Sequence, residues 1–352
     1  MARPALTNAQ LADLLAHEAA NSSATLGRAY RRAARSAFLW PETVSDIIRR
    51  GGSLLELHGV GPFIARKLID WVQKPPSRLP PVSPDRRDFI TMADATVLLR
   101  ANPDWTARLR GDLQMHTTWS DGSGTVGSMA QAGQERGYEY IAVTDHSKGL
   151  KIAGGIDEIQ LARQTAEIAK ANETIATSGG HFTILRSIEL NLNPRGYGDM
   201  DARCLAKLDI VLGSFHSALR SKEDQTGRYI AALRNRSIQI LGHPRGRIYN
   251  YRLGLKADWP RVFAEAAKLN KALEIDSYPD RQDLNVSLLK IARREGVRIS
   301  IGTDAHHPWQ LEFITLGLAA ALKAKIPPER IINFMPLPEL KQWVKHVRQR
   351  AR

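Results

Sequence analysis

Between Asn8 and about Val72 the apolar residues recur at helical spacing. Leu11, Leu14 and Leu15 open the first stripe, and Pro41, just after Trp40, is read as the start of a further helix. The pattern breaks at Lys74–Pro84, KPPSRLPPVSP, where the density of proline excludes a helix interior or a central strand. This stretch predicts a semi-rigid, partly extended linker, followed by a short helix over Arg87–Leu99. Past Leu109 the rhythm changes. Short apolar runs rich in Ile, Val and Leu (LRGDLQMH, YIAVTDHS, FTILRSIEL, DIVLGSFHS, SIQILGHP, ALEIDSY, RISIGTDAHH) alternate with segments that can hold helices. Strand followed by helix, repeated, predicts a parallel sheet covered by helices. Seven such units suit a barrel better than an open sheet. The chain thus divides into an all-helical segment at 1–75, a linker and short helix at 76–108, and an α/β segment at 109–352.

Charge and cysteine usage narrow the setting. The 352 residues carry 50 Lys and Arg against 36 Asp and Glu, a net charge of +14, which favours an anionic partner such as nucleic acid. Cys204 is the only cysteine, so no intrachain disulfide or cysteine-rich zinc module can form, as suits a reducing cytoplasm. No secretion signal or membrane-spanning run is predicted. The oligomeric state is left open.

The polar residues matter by position. The apolar runs close on His116, His146, Glu189, His216, His243, and the pair Asp304 and His306. In a parallel barrel those strand ends share one rim, where loops build the active site. Asp121 lies in the loop after the first run and can turn back toward the same centre. One such histidine is ordinarily a core or loop residue. A set recurring at equivalent strand ends is costly to bury without compensation, and metal ions supply it. Imidazole with carboxylate suits zinc, manganese or iron.

The strings GDLQMHTTWSDG, AVTDHS, SIELNL, GSFHS, GHPRGR and IGTDAHHP, in that order, resemble the polymerase and histidinol phosphatase (PHP) domain over roughly Leu109 to the C-terminus. The resemblance implies a distorted seven-stranded (β/α) barrel holding up to three divalent metals and hydrolysing phosphate esters. It makes His116, Asp121, His146, Glu189, His216, His243, Asp304 and His306 the metal ligands. Glu189 would bridge two ions, and Glu189 and Asp304 would serve the catalytic core. One position departs from the family pattern. Gln114 stands where the family commonly has a histidine, and is expected as a weaker, oxygen-donating ligand. Clustered divalent ions would neutralise the phosphate oxygens and activate water. Arg245 and Arg247, just after His243, and Lys148, just after His146, are candidates for a phosphate clamp, with ordinary surface charge as the alternative.

In the helical segment, LHGVGPFIARKL places Gly59 and Gly61 in a tight turn before an apolar helix. Such a turn can present backbone N–H groups to a phosphate. Arg28, Arg31, Arg32 and Arg35 fall at i, i+3, i+4 and i+7, on one helix face suited to a nucleic-acid backbone. RAYRRAARS, GGSLLELHGVG and IARKL together resemble the N-terminal helix-hairpin-helix domain of family X DNA polymerases, whose bacterial members also carry a PHP domain. The polymerase palm has no counterpart here, so the resemblance implies no nucleotide addition. Lys67 aligns with the Schiff-base lysine of the lyase members, and a phosphate contact is the alternative role.

Three functions stay open on sequence alone. The favoured one is a phosphoesterase acting without sequence preference on DNA ends or damaged DNA, as a 3′–5′ exonuclease, 3′-phosphatase or abasic-site nuclease. The others are a small-molecule phosphatase of the histidinol-phosphatase type and a non-catalytic DNA-binding module with structural metals.

Overall fold

The structure, a computed structural model, describes residues 5–350; the first four and last two residues of the segments delimited above lie outside them. Helices α1 (Asn8–Ala20), α2 (Ala24–Ser36), α3 (Val44–Arg49) and α4 (Pro62–Gln73) gather around one apolar cluster that fully buries Leu11, Leu15 and Leu68. Thr7 and Gln10 close a reciprocal capping box at the start of α1. No helix begins at Pro41. The buried Trp40 donates its indole N–H to the His58 carbonyl at 3.0 Å, holding the chain in a bend, and Thr43 caps α3 instead.

The proline-rich strip carries no helix or strand up to a single turn at Pro84–Arg86. The helix expected from Arg87 starts later, as α5 (Met92–Arg100), followed by α6 (Pro103–Arg108). The delay has a cause: Ile90 exchanges two hydrogen bonds with the buried Gln282 side chain, at 2.7 and 2.8 Å, and Asp88 takes a positive φ of 59°, so the chain stays non-helical up to Ile90. The linker is also pinned. Arg86 pairs with Asp13 of α1 at 3.1 Å and donates to Asn250 at 3.2 Å.

All seven apolar runs of the α/β segment form strands. They are β1 (Gly111–Asp112), β2 (Tyr140–Val143), β3 (Thr183–Arg186), β4 (Glu189–Asn191), β5 (Leu212–Ser214), β6 (Ile240–Leu241), β7 (Ala272–Asp276) and β8 (Arg298–Gly302). The run FTILRSIEL supplies two, β3 and β4, interrupted at Ser187 and Ile188. Every neighbouring pair is parallel, in the orders β1-β2-β3 and β4-β5-β6-β7-β8. Isolated parallel bridges join the two sheets at both seams, His146 with Glu189 and Met115 with Ala305. The helices between and after the strands are α7 (Val126–Glu135), α8 (Glu158–Thr177), α9 (Ala202–Leu205), α10 (Thr226–Arg234), α11 (Trp259–Lys268), α12 (Val286–Glu295), α13 (Ile314–Lys323) and α14 (Leu337–Arg350).

Strand alternation places the site. Leu273 and Ile275 of β7 face the apolar layer under the helices, whereas Ala272, Glu274 and Asp276 share the opposite face. Ala272 packs there in the cluster that Leu340, Trp343, Val344 and Val347 of α14 close from below. The inner face is therefore apolar at the strand starts and polar toward their C-terminal ends. No helix among the described residues is long and apolar enough to cross a membrane.

Candidate metal centre

The structure brings together all eight histidines and carboxylates expected from the strand ends and first loop. Glu189 is at the middle, with no solvent exposure. Its Oε1 lies 2.6 Å from His243 Nε2 and 3.1 Å from His216 Nε2. Its Oε2 faces the other way, 3.2 Å from His146 Nδ1 and 3.3 Å from His116 Nε2. Asp304 sits 3.0 Å from His116 Nε2, and Asp121 lies 3.4 Å from His306 and 3.6 Å from His146. Three overlapping groups have donor atoms close enough for one ion each: His116, Asp121, His146 and His306; His146, Glu189 and His216; His116, Glu189 and Asp304.

Divalent cations fit this donor set. His116 Nδ1, His146 Nδ1 and Glu189 Oε2 are buried without a hydrogen-bond partner, a costly state that coordination would relieve. The outer nitrogens of two other rings are already oriented. His216 Nδ1 meets Asn191 Oδ1 at 3.1 Å, and His306 Nδ1 meets the Asp304 carbonyl at 2.7 Å, each leaving Nε2 directed inward.

The electrostatics agree. Burial alone would raise Glu189, but the surrounding histidines hold it well below the ordinary carboxylate range. Burial likewise opposes ionisation of Asp304, and His116 and Arg281 overcome it. His243 is raised to about 10 because the Glu189 carboxylate outweighs its desolvation, whereas desolvation dominates at His146 and lowers it to about 4. Protons and histidines here occupy the electrostatic role that metal cations would take over.

Several expected residues are placed elsewhere. The side-chain amide of Gln114 lies 2.5 and 2.9 Å from the two carboxylate oxygens of Glu274 rather than against the histidines. Glu274 in turn accepts the His243 backbone N–H at 2.8 Å, so Gln114 is linked through Glu274 to the backbone of His243. Arg247 is buried. Its guanidinium stacks 3.7 Å from the centroid of Phe89 and donates to the Arg87 and Asp88 carbonyls, so it anchors the linker rather than a phosphate. Arg245 donates to the Leu253 carbonyl at 2.8 Å, shaping its own loop. Lys148 pairs with Glu158 at 2.7 Å in solvent.

In the helical cluster, Arg28, Arg31, Arg32 and Arg35 are all exposed on α2. Gly59 has φ of +77°, and a Cβ there would meet Ser36 Oγ of α2 at 2.5 Å, which explains the glycine. Gly61 caps α4 with open space around it. Lys67 faces Glu18 at 3.5 Å and the Trp71 ring, an acidic rather than cationic surrounding.

Residues not anticipated from sequence complete the site. Asp145 accepts hydrogen bonds from Thr117, Ser120 and Gln164 at 2.6–2.8 Å and so fixes the loop that carries Asp121. Its position beside His146 in TDHS was an available signal. Asp276 is buried at the C-terminal end of β7, and Arg281 lies 3.4 Å from Asp304 and 3.8 Å from Asp276. Two acids at alternate positions in ALEIDSY share one strand face, and that pattern alone marks them.

Parallel strands whose C-terminal ends converge on buried imidazoles and carboxylates define an α/β protein with a candidate metal centre. The PHP domain model matches residues 112–282. The chain is 36% identical over 239 residues to a DNA polymerase/3′-5′ exonuclease PolX of Bacillus subtilis, covering 68% of this chain and 41% of that relative. It is 30% identical over 207 residues to a probable phosphatase of Photobacterium profundum, covering 55% of this chain and 77% of the relative. A crystal structure of histidinol phosphate phosphatase from Lactococcus lactis, complexed with zinc, L-histidinol and phosphate, superposes with a TM-score of 0.42. That match has 16% identity and covers 61% of this chain and 93% of the other. The chain belongs to the PHP domain family.

The Gln114–Glu274 pair yields a testable expectation. Gln114→Leu removes the partner of a buried carboxyl and should lower folding stability by about 1–3 kcal/mol. Metal content should stay unchanged. Denaturant unfolding and elemental analysis check both, and a fall in bound metal would return Gln114 to the ligand shell.

Proposed function

We propose that this chain is a phosphoesterase that processes DNA ends or damaged DNA without sequence preference and without polymerase activity. In this reading residues 1–75 are a helix-hairpin-helix DNA-binding unit, 76–108 a linker and short helix, and 109–352 the catalytic unit. The catalytic unit is a seven-stranded distorted barrel in which β3 and β4 count as one interrupted strand. His116, Asp121, His146, Glu189, His216, His243, Asp304 and His306 would hold up to three ions of zinc, manganese or iron, with Glu189 shared between ligand groups because its two oxygens face different histidine pairs. When bound, those ions supply charge neutralisation for the phosphate and activation of water. Glu189 and Asp304 keep the ligand cluster anionic, and Asp145 holds the Asp121 loop in place. Arg281, beside Asp304, takes the phosphate-contacting role first expected of Arg245 and Arg247.

The observation that carries the DNA reading is the arginine face of α2. Its four guanidiniums are exposed, and none is ion-paired among the described residues. That face belongs to a unit anchored beside the catalytic rim. Tyr249, six residues after His243, packs its ring on Phe38 and Phe89 at 4.7 and 5.2 Å, inside the helical core. Sequence-tolerant contacts to phosphates are the natural use of such a face.

Arg31→Glu with Arg32→Glu should raise the apparent KM for DNA ends by roughly tenfold or more and reduce the salt dependence of binding. Turnover of a small chromogenic phosphate ester tests the barrel separately. Charge reversal is a cleaner probe than deleting 1–75, because deletion would uncover Tyr249 and Phe89. Equal DNA cleavage by the double variant and the parent, together with efficient turnover of histidinol phosphate, would favour the small-molecule phosphatase reading.

A further inference from the structure

The loop after His243 makes a tight turn whose ends are locked together. Ile248 and Arg252 exchange backbone hydrogen bonds in both directions, each at 2.9 Å. Within it Tyr249 points into the helical core, 1% exposed, and Asn250 takes a positive φ of +53°. The reversal turns Tyr251 outward, 56% exposed, with Leu253 also exposed beside it. An aromatic held in solvent by a fixed turn at the lip of a catalytic centre is poised for contact with a ligand.

One guanidinium lies against its ring, and two more follow inward toward the site. Arg220, four residues after His216, lies 4.8 Å from the Tyr251 ring centroid and donates to its hydroxyl. Arg252 donates to the Gly246 carbonyl, and it is held below the ordinary arginine range by burial and by repulsion from Arg281 and Arg220. Arg281 reaches Asp304 at 3.4 Å. These like charges are kept close on loops that follow ligand-bearing or acidic strand ends, an arrangement that an incoming polyanion would stabilise. The path continues outward: Asp280, beside Arg281, feels the field of Arg35 at the end of the α2 arginine row.

We propose that Tyr251, flanked by Arg220 and Arg252, is a stacking platform for an unpaired nucleobase of a nucleic-acid strand whose terminal phosphate ester lies in the metal centre. The inference rests on the DNA reading above and deepens it by naming a single-stranded end as the substrate. An exposed aromatic ring with a guanidinium over one face has the other for a base, and the neighbouring guanidiniums suit the adjoining phosphates, with little sequence preference. A base within a duplex already has both faces stacked, so the platform selects an unpaired strand. A small phosphate monoester held by the metal ligands alone has no group to place on it.

The test measures affinity of the full chain for a labelled, phosphorothioate-linked oligothymidylate by fluorescence anisotropy, with a blunt duplex in parallel. Tyr251→Ala should weaken single-strand binding by about tenfold or more, and Tyr251→Phe, which keeps the stacking face, should restore it. Duplex affinity should change by less than about twofold, since the phosphate contacts of α2 remain. Circular dichroism and metal content of the variant establish that the fold is intact. If the parent binds and cuts DNA but Tyr251→Ala matches it on the single strand, the platform is overturned and the DNA reading survives. If the parent hydrolyses small phosphate esters but binds no oligonucleotide at low salt, both fall together.

Discussion

Glu189→Gln is expected to lower phosphate-ester hydrolysis by more than about 100-fold, the upper range for losing even an outer partner of a metal ligand. The substitution preserves shape. It removes the negative charge at the point where four imidazoles converge, His216 and His243 on one carboxylate oxygen and His116 and His146 on the other. An amide offers a neutral oxygen on one side and, on the other, an NH2 group turned toward ring nitrogens that need an acceptor or a cation. Two of the three potential ion positions use this carboxylate, so both should weaken together. The surrounding strands are packed by apolar contacts that the change leaves alone, and far-ultraviolet circular dichroism should match the parent. Steady-state kinetics with elemental analysis gives the readout. Near-normal turnover with full metal content would place the catalytic centre elsewhere.

Stripping the protein with a chelator should abolish hydrolysis, and added manganese or zinc should restore it. Protein purified without chelator should carry more than one equivalent of transition metal. The buried, unpartnered atoms of His116, His146 and Glu189 motivate this expectation, because they are costly to maintain without a cation. Metal uptake should also release protons. In the metal-free protein His243 is raised to about 10 and His116 lies well above its ordinary value, so both rings are protonated at neutral pH. An ion binding at their nitrogens displaces those protons, and apparent affinity should fall as the pH is lowered. Calorimetry in buffers of different ionisation enthalpy measures the release. A metal-free protein that hydrolyses phosphate esters at the full rate would end the metal-dependent reading.

The α/β rhythm was legible because each apolar run is short and bounded, and burial on both faces of a parallel sheet demands such runs. The ligand histidines were legible for a related reason: they recur at strand ends, and a parallel arrangement brings strand ends together whatever their separation in the chain. The break between β3 and β4 had no sequence marker, since FTILRSIEL reads as one run and only strand pairing divides it. Helix starts failed where a distant partner fixed the chain in a non-helical course, as His58 does through the Trp40 indole and Gln282 does at Ile90.

By itself, then, the sequence determined the order of helices and strands, the eight residues that converge, and the arginine face of α2. These are properties of periodicity and local spacing, which survive without knowledge of the fold. Only the tertiary structure decided where the remaining charges act. Gln114 meets Glu274 across 160 residues, Arg247 turns back onto Phe89, and Arg281 arrives beside Asp304 from a loop with no preceding histidine. A long side chain's partner is set by which loops share the rim and by what burial leaves unsatisfied, and neither is encoded in its neighbours along the chain.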